Sequence, residues 1–147
     1  MRALVQRVST ANVSVNGNVV GQISRGLLVF VGIRYNDTRV QAEKLAHKVI
    51  ALRVFPDETG KMNHSVADVV GDLLIVSQFT LYGDTRKGNR PSYSEAADPK
   101  LAEDLYEHFI SVCRRSQLSV ATGTFQAHMQ VQLTNDGPVT LICYAET

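Results

Sequence analysis

At 147 residues, with 44% apolar and 20% charged residues, the chain has the size and composition of one ordinary globular domain and lies far from the low-hydrophobicity signature of disorder. Fifteen basic residues against fourteen acidic ones give a net charge of +1, which argues against gripping long nucleic acid through many phosphates but not against touching an end. No apolar run has the length of a membrane span, the longest being "LLVFVGI" at Leu27 to Ile33, and the amino terminus has no apolar signal segment, so one cytoplasmic domain over residues 1–147 is expected.

The chain opens with "ALVQRVSTANVSV" and "NVVGQI", β-rich runs split at Asn16-Gly17, the strongest short-range signal for a tight hairpin. Leu27 to Ile33 then reads as a central strand covered on both faces. From Asp37 the spacing becomes helical, with Ala42, Leu45, Ala46, Val49 and Leu52 on one face and Asp37 or Thr38 as the cap. "PDETGKMN" is a turn and "GDLLIVSQFTL" another buried strand, followed by loop signals from Tyr82 to Ser94. Asp98-Pro99 starts a second helix along Leu101, Leu105, Phe109 and Val112, with Arg114 and Arg115 at its end. "FQAHMQVQLTNDGPVTLICYA" gives two strand patterns around Asn-Asp-Gly-Pro. The expected fold class is therefore mixed α/β with partly antiparallel sheets. The order is β-β-β-α-β-α-β-β in a single domain, with two sheets packed together and helices covering one face.

Much common chemistry is missing. The four histidines have no ligand-like spacing, His47 and His108 lying in helical patterns, His64 in a turn and His128 in a strand, so no metal is expected. Cys113 and Cys143 read as small buried hydrophobes in a reducing compartment. No Gly-x-Ser-x-Gly turn supports Ser77 as a hydrolase nucleophile, and an unassisted Thr80 or Ser77 hydroxyl is a poor nucleophile near neutral pH. The basic loop "TRKGNR", with Arg86, Lys87 and Arg90, is either a solvated loop or a contact for a few phosphates.

What remains is "SQFTLYGD" at Ser77 to Asp84 and "NDGPVT" at Asn135 to Thr140. Together they resemble the Ser-Gln-x-Thr and Asn-x-Gly-Pro-x-Thr signatures of the D-aminoacyl-tRNA deacylases, the D-tyrosyl-tRNA deacylase family of chiral proofreading enzymes. "ALVQRV", "GLLVFVGI", "GKMN" and "RPSYSEAA" extend the likeness along the chain, and Leu81-Tyr82-Gly83 departs from it by replacing smaller residues expected there. The resemblance implies a hydrolase of the D-aminoacyl ester at the 3′ end of tRNA, with no cofactor, no membrane and no DNA. It further implies a homodimer in which a cis Gly137-Pro138 step of one copy enters the other's active site near Ser77 to Thr80.

In that reading the N–H groups of Phe79 and Thr80 bind the developing oxyanion, and a ribose hydroxyl supplies or positions the nucleophile. Ser77 and Gln78 hold the loop or contact the terminal adenosine, and Met129, in a strand near the second motif, packs on adenine or in the core. Gly137 and Pro138 form a wall against L side chains, Arg7 braces it, and Asn135, Val139 and Thr140 support it. Achiral glycine escapes such a wall, so glycyl-tRNA is an expected further substrate. The alternatives are a non-catalytic module that binds tRNA ends or amino-acid-like ligands, and a general esterase or amidase using Thr80.

Overall fold

In the computed structural model, which describes residues 1–146, β1 (Arg2–Val15) and β2 (Asn18–Ile23) form the expected antiparallel hairpin. Both corner residues have positive φ, +51° at Asn16 and +80° at Gly17, as a tight two-residue turn between right-twisted strands requires. β3 (Gly26–Gly32) pairs with the first half of β1, from Val8 opposite Gly26 to Arg2 opposite Gly32, while β2 pairs with the second half. The chain continues through α1 (Arg39–Ala51), a small hairpin of β4 (Phe55–Pro56) and β5 (Met62–His64), β6 (Asp72–Ser77), a 3-10 turn over Phe79–Tyr82, α2 (Pro99–Arg115), β7 (Ser119–Thr122) and β8 (Gln130–Tyr144). Apart from the β4–β5 hairpin, this is the order expected from the sequence.

The sheets are unequal. One has six strands in the order β2-β1-β3-β6-β7, with β8 along the other side of β1; the second is the β4–β5 hairpin alone. Packing of layer on layer therefore occurs chiefly within the large sheet, which curls: a Cβ on Gly21 in β2 would lie 2.5 Å from the Thr122 carbonyl oxygen of β7. That approach brings the two ends of the strand order together. Only glycine has room there.

Alternation along the strands builds two cores. Ala3, Val5, Leu27, Val29, Val31, Leu73 and Ile75 face Ala42, Leu45, Ala46 and Val49 of α1 and Leu105, Phe109 and Val112 of α2. Val8, Ala11, Val13, Leu28, Leu74 and Val76 form a second cluster inside the curl. The unbroken apolar runs of β3 and β6 follow from burial on both faces. Thr38 caps α1 through a capping box with Gln41, and Asp98 caps α2 ahead of Pro99. Asp37 does other work: its carboxylate accepts from the Arg34 N–H at 2.6 Å and from the Met1 amine at 2.8 Å.

The last two strands are arranged differently from the sequence pattern. Asn-Asp-Gly-Pro does not reverse the chain. β8 runs antiparallel to β1 on both sides of it, with Asn135 opposite Val8 and Thr140 opposite Gln6, so the intervening residues bulge out of one continuous strand. The other strand of the final pair is β7, parallel to β6. His64 lies in β5 rather than a turn, and His128 and Met129 precede β8 rather than lying in a strand.

Candidate active site

The first motif leaves the sheet at the carboxyl end of β6, where Val31 pairs with Ser77 and the Gln78 N–H donates to the Val31 carbonyl at 2.8 Å. Because β3, β6 and β7 are parallel, their carboxyl ends open on the same side, the usual place for a ligand on such a sheet. The backbone then tightens into the 3-10 turn, closed by Gly83 N–H to the Thr80 carbonyl at 2.9 Å. Phe79 and Thr80 start that turn, where N–H groups have no acceptor within it, and both residues are exposed. The Gln78 amide donates to Thr80 Oγ1, so these two polar side chains hold each other.

Neighbours fix the turn from both sides. Phe79 stacks edge-on against Tyr93, centroids 5.0 Å apart, and the Arg2 guanidinium donates to the Leu81 carbonyl at 3.1 Å while lying 4.2 Å over the Tyr82 ring. Burial pushes the Tyr82 phenol up to about 12, so it stays protonated near neutrality and offers no base. Met129 comes to the same end of the sheet: its Sδ lies 2.7 Å from where a Cβ of Gly123 would be, and Gly123 N–H donates to the Ile75 carbonyl at 3.1 Å. The sequence reading missed Tyr93 and Arg2. Tyr93 stands inside "RPSYSEAA", whose only local signal was an aromatic residue in a loop, and Arg2 reaches the turn only through strand pairing.

The second motif is a braced bulge. Gly137-Pro138 is a cis peptide, and Gly137 has φ +132°. A Cβ there would lie 2.8 Å from Val139 Cγ2 and 3.0 Å from both the Val139 nitrogen and Arg7 Nη2. Arg7, buried at 9% exposure, donates Nε to the Asp136 carbonyl at 3.0 Å and Nη1 to the Val54 carbonyl at 2.6 Å. Across the base of the bulge, Asn135 Nδ2 donates to Thr140 Oγ1 at 2.9 Å and Asn135 Oδ1 accepts from the Val139 N–H at 3.2 Å. Val139 is buried in the helix-side core, which anchors the bulge while Gly137 and Pro138 stay exposed.

Within one chain the structure groups these residues into two sets. Ser77, Gln78, Phe79, Thr80 and Met129 gather at the carboxyl end of β6; Arg7, Asn135, Gly137, Pro138, Val139 and Thr140 gather on β1 and β8. Register gives the separation. The bulge is level with Arg7, Leu27 and Leu73, three strands away from β6 and four residues short of Ser77 along it. At ~4.8 Å per strand and ~3.3 Å per residue, that is on the order of 20 Å within one chain.

The fold and both sets define a mixed α/β protein whose distinctive groups are main-chain donors and carbonyls held by side chains, without an assembled Ser-His-Asp arrangement among the described residues. The chain belongs to the D-Tyr-tRNA(Tyr) deacylase family, whose model matches residues 4–144. It is 58% identical over 142 residues to the D-aminoacyl-tRNA deacylase of Thermosipho africanus (strain TCF52B), covering 97% of this chain and 95% of that one. It is 57% identical over 140 residues to the D-aminoacyl-tRNA deacylase of Haemophilus influenzae (strain PittEE), covering 95% and 96%. A solved structure of a c-Myc DNA Unwinding Element Binding Protein superposes with a TM-score of 0.93 at 41% identity over the full length of both chains. A probable eukaryotic D-amino acid tRNA deacylase shares the fold, with a TM-score of 0.83 at 17% identity over 97% of each.

Proposed function

We propose that the whole chain acts as a single D-aminoacyl-tRNA deacylase domain, hydrolysing the ester that joins a D-amino acid to the terminal ribose of tRNA in the cytoplasm. The observation that carries this reading is the exposed start of the Phe79–Tyr82 turn at the carboxyl end of β6. The Phe79 and Thr80 N–H groups are the candidate oxyanion donors, each worth about 2.7–4 kcal/mol to the transition state. Thr80 Oγ1 is engaged by Gln78 and, among the described residues, has no histidine or carboxylate bonded to it, which supports catalysis by main chain and by the neighbouring ribose hydroxyl rather than by Thr80 as nucleophile. Ser77 and Gln78 hold the turn against the terminal adenosine, and Met129 flanks it.

Selectivity needs a second copy. Two rigid motifs on the order of 20 Å apart in one chain cannot form one pocket, whereas the bulge of one copy and the turn of another can. β8 is the free edge of its sheet and carries exposed Leu133, Leu141, Ile142 and Tyr144 alongside exposed Gly137 and Pro138, a composition that favours burial against another chain. In the homodimer, main-chain carbonyls at Gly137-Pro138 receive the substrate's α-amino group and leave no space for an L side chain. Glycine, lacking a side chain, is cleared as well.

A deacylation assay on D-tyrosyl-, L-tyrosyl- and glycyl-tRNA tests the proposal. Release of D-tyrosine and glycine with L-tyrosine retained is expected, and Thr80→Ala should keep measurable activity. Complete loss in a folded Thr80→Ala protein indicates a side-chain nucleophile, and binding without release indicates a tRNA-end binding module. The name of the 41% identical structural neighbour refers to DNA; the near-zero net charge favours an RNA end over a long duplex, and duplex DNA should not compete in the same assay.

A further inference from the structure

We propose that the loop from Thr85 to Arg90, together with Arg2, is a phosphate grip that holds the single-stranded 3′ end of the RNA beside the Phe79–Tyr82 turn. The inference rests on the deacylase reading above and adds the part of the substrate that the turn itself does not touch.

The loop is fastened to the turn. Asp84 and Ser92 exchange main-chain hydrogen bonds of 2.8 and 2.9 Å, pinching residues 85–91 into a projecting loop. One residue before this pinch, a Cβ on Gly83 would lie 3.0 Å from the Tyr93 ring; one residue after it, Tyr93 packs on Phe79. The base of the loop and the site of ester cleavage are thus parts of one packed unit. A cleft of about 290 Å³ lined by Arg2, Tyr82, Gly83, Asp84, Arg86 and Glu95 lies against it.

The charges divide unequally. Asp84 is taken up by Arg86 through its main-chain N–H at 3.0 Å, Nε at 2.9 Å and Nη2 at 2.8 Å, and these bonds hold its carboxyl well below the usual carboxylate range. Glu95 is taken up by Arg34 at 3.0 Å. Among the described residues Arg2, Lys87 and Arg90 form no ion pair, and the buried Arg2 Nε has no hydrogen-bond acceptor. Arg2 thus lines the cleft over the Tyr82 ring, and Lys87 and Arg90 stand exposed and without an ion pair on the loop beside it, in a chain whose whole balance is +1. Phosphodiesters on either side of the terminal bases match these cations in sign, and the loop that carries them is packed against the turn.

Lys87→Ala/Arg90→Ala tests the grip, since both residues are exposed. The substrates are D-tyrosyl-tRNA and D-tyrosyl-adenosine, which carries the same ester but no phosphate. Loss of two single-strand phosphate contacts should make the slope of log(kcat/KM) against log salt shallower by about 1.4 and raise KM for the tRNA about 14-fold at roughly 0.15 M salt. The rate on D-tyrosyl-adenosine should not change, and Lys87→Arg/Arg90→Lys should restore the tRNA KM. An unchanged tRNA KM and slope overturns the proposal, as does an equal loss on both substrates. Binding of uncharged tRNA, measured in parallel, should weaken by the same factor. If the wild-type protein cleaves neither substrate, the deacylase reading fails while the binding measurement still decides the grip.

Discussion

Arg7→Met removes the fork that holds the Gly137-Pro138 bulge and keeps most of the side-chain volume. Two charge-assisted hydrogen bonds disappear, one to the buried Val54 carbonyl and one to the partly buried Asp136 carbonyl. Such bonds are worth about 1.5–3 kcal/mol each. Counting the first in full and the second at about half, because water can replace it, gives a loss of about 3 kcal/mol. The 3.5 Å ion pair to Asp136 adds little, since that carboxylate is 59% exposed. For a chain of this length the loss corresponds to a Tm lower by roughly 6–12 °C, read by far-UV circular dichroism. Activity should fall further than stability, because a displaced bulge misplaces the proposed substrate-facing carbonyls, and misplacement of that kind costs on the order of 100-fold in rate. Arg7→Lys should recover only part of either quantity, because one ammonium cannot reproduce the planar fork. An Arg7→Met protein with unchanged Tm and unchanged preference for D over L esters would refute the brace.

Three further outcomes follow from the same geometry. Gly137→Ala should lower the urea midpoint by an amount equivalent to about 1–3 kcal/mol, because φ +132° is a region L side chains rarely adopt and the new methyl meets Val139 and Arg7; an unchanged midpoint would count against it. Asp57 has its carboxyl pKa lowered first by the Thr59 hydroxyl and then by the Lys61 and Thr59 N–H groups, so its contribution is present above the unfolded value near 3.8 and is lost as pH falls through the folded value. Asp57→Asn should therefore flatten the dependence of Tm on pH below about 4, and curves that superpose would contradict this. Burial pushes the Cys113 thiol up to about 12, so iodoacetamide should leave it unmodified at neutral pH until the protein unfolds; rapid labelling of the native protein would show that α2 opens.

Local signals made most of the fold legible. Asn16-Gly17, the Thr38 and Asp98 caps, the helical spacing from Ala42 to Val49 and the unbroken runs of β3 and β6 each depend on contacts within a few residues, or on burial that hydrophobicity reports directly. Asn-Asp-Gly-Pro misled because its turn chemistry is genuine but is used to push residues out of a continuous strand. What decides between a reversal and a bulge is the pairing of both flanks with β1, more than 120 residues away in sequence. β7 escaped notice for a related reason: only four residues long, it is stabilised by lying beside β6.

The site was legible residue by residue, and its arrangement came only from the family resemblance, because no local signal reports the distance between two motifs. The resemblance implies that the Gly137-Pro138 step meets Ser77 to Thr80 across two copies and not within one; inside one chain the strand register holds the two motifs on the order of 20 Å apart. This distance is informative because each motif is held on rigid elements, one by β6 and its neighbours, the other by Arg7, Asn135 and Val139. Neither can swing to meet the other without breaking buried hydrogen bonds. Either the two motifs serve unrelated purposes, or a second chain completes the site. The exposed apolar side chains flanking Pro138 on β8 favour the second case. Placing one charge there, with Ile142→Asp at the 52% exposed position, should leave the monomer folded while abolishing both dimer formation and deacylation. A monomeric Ile142→Asp protein with full stereoselective activity would show that one chain is sufficient.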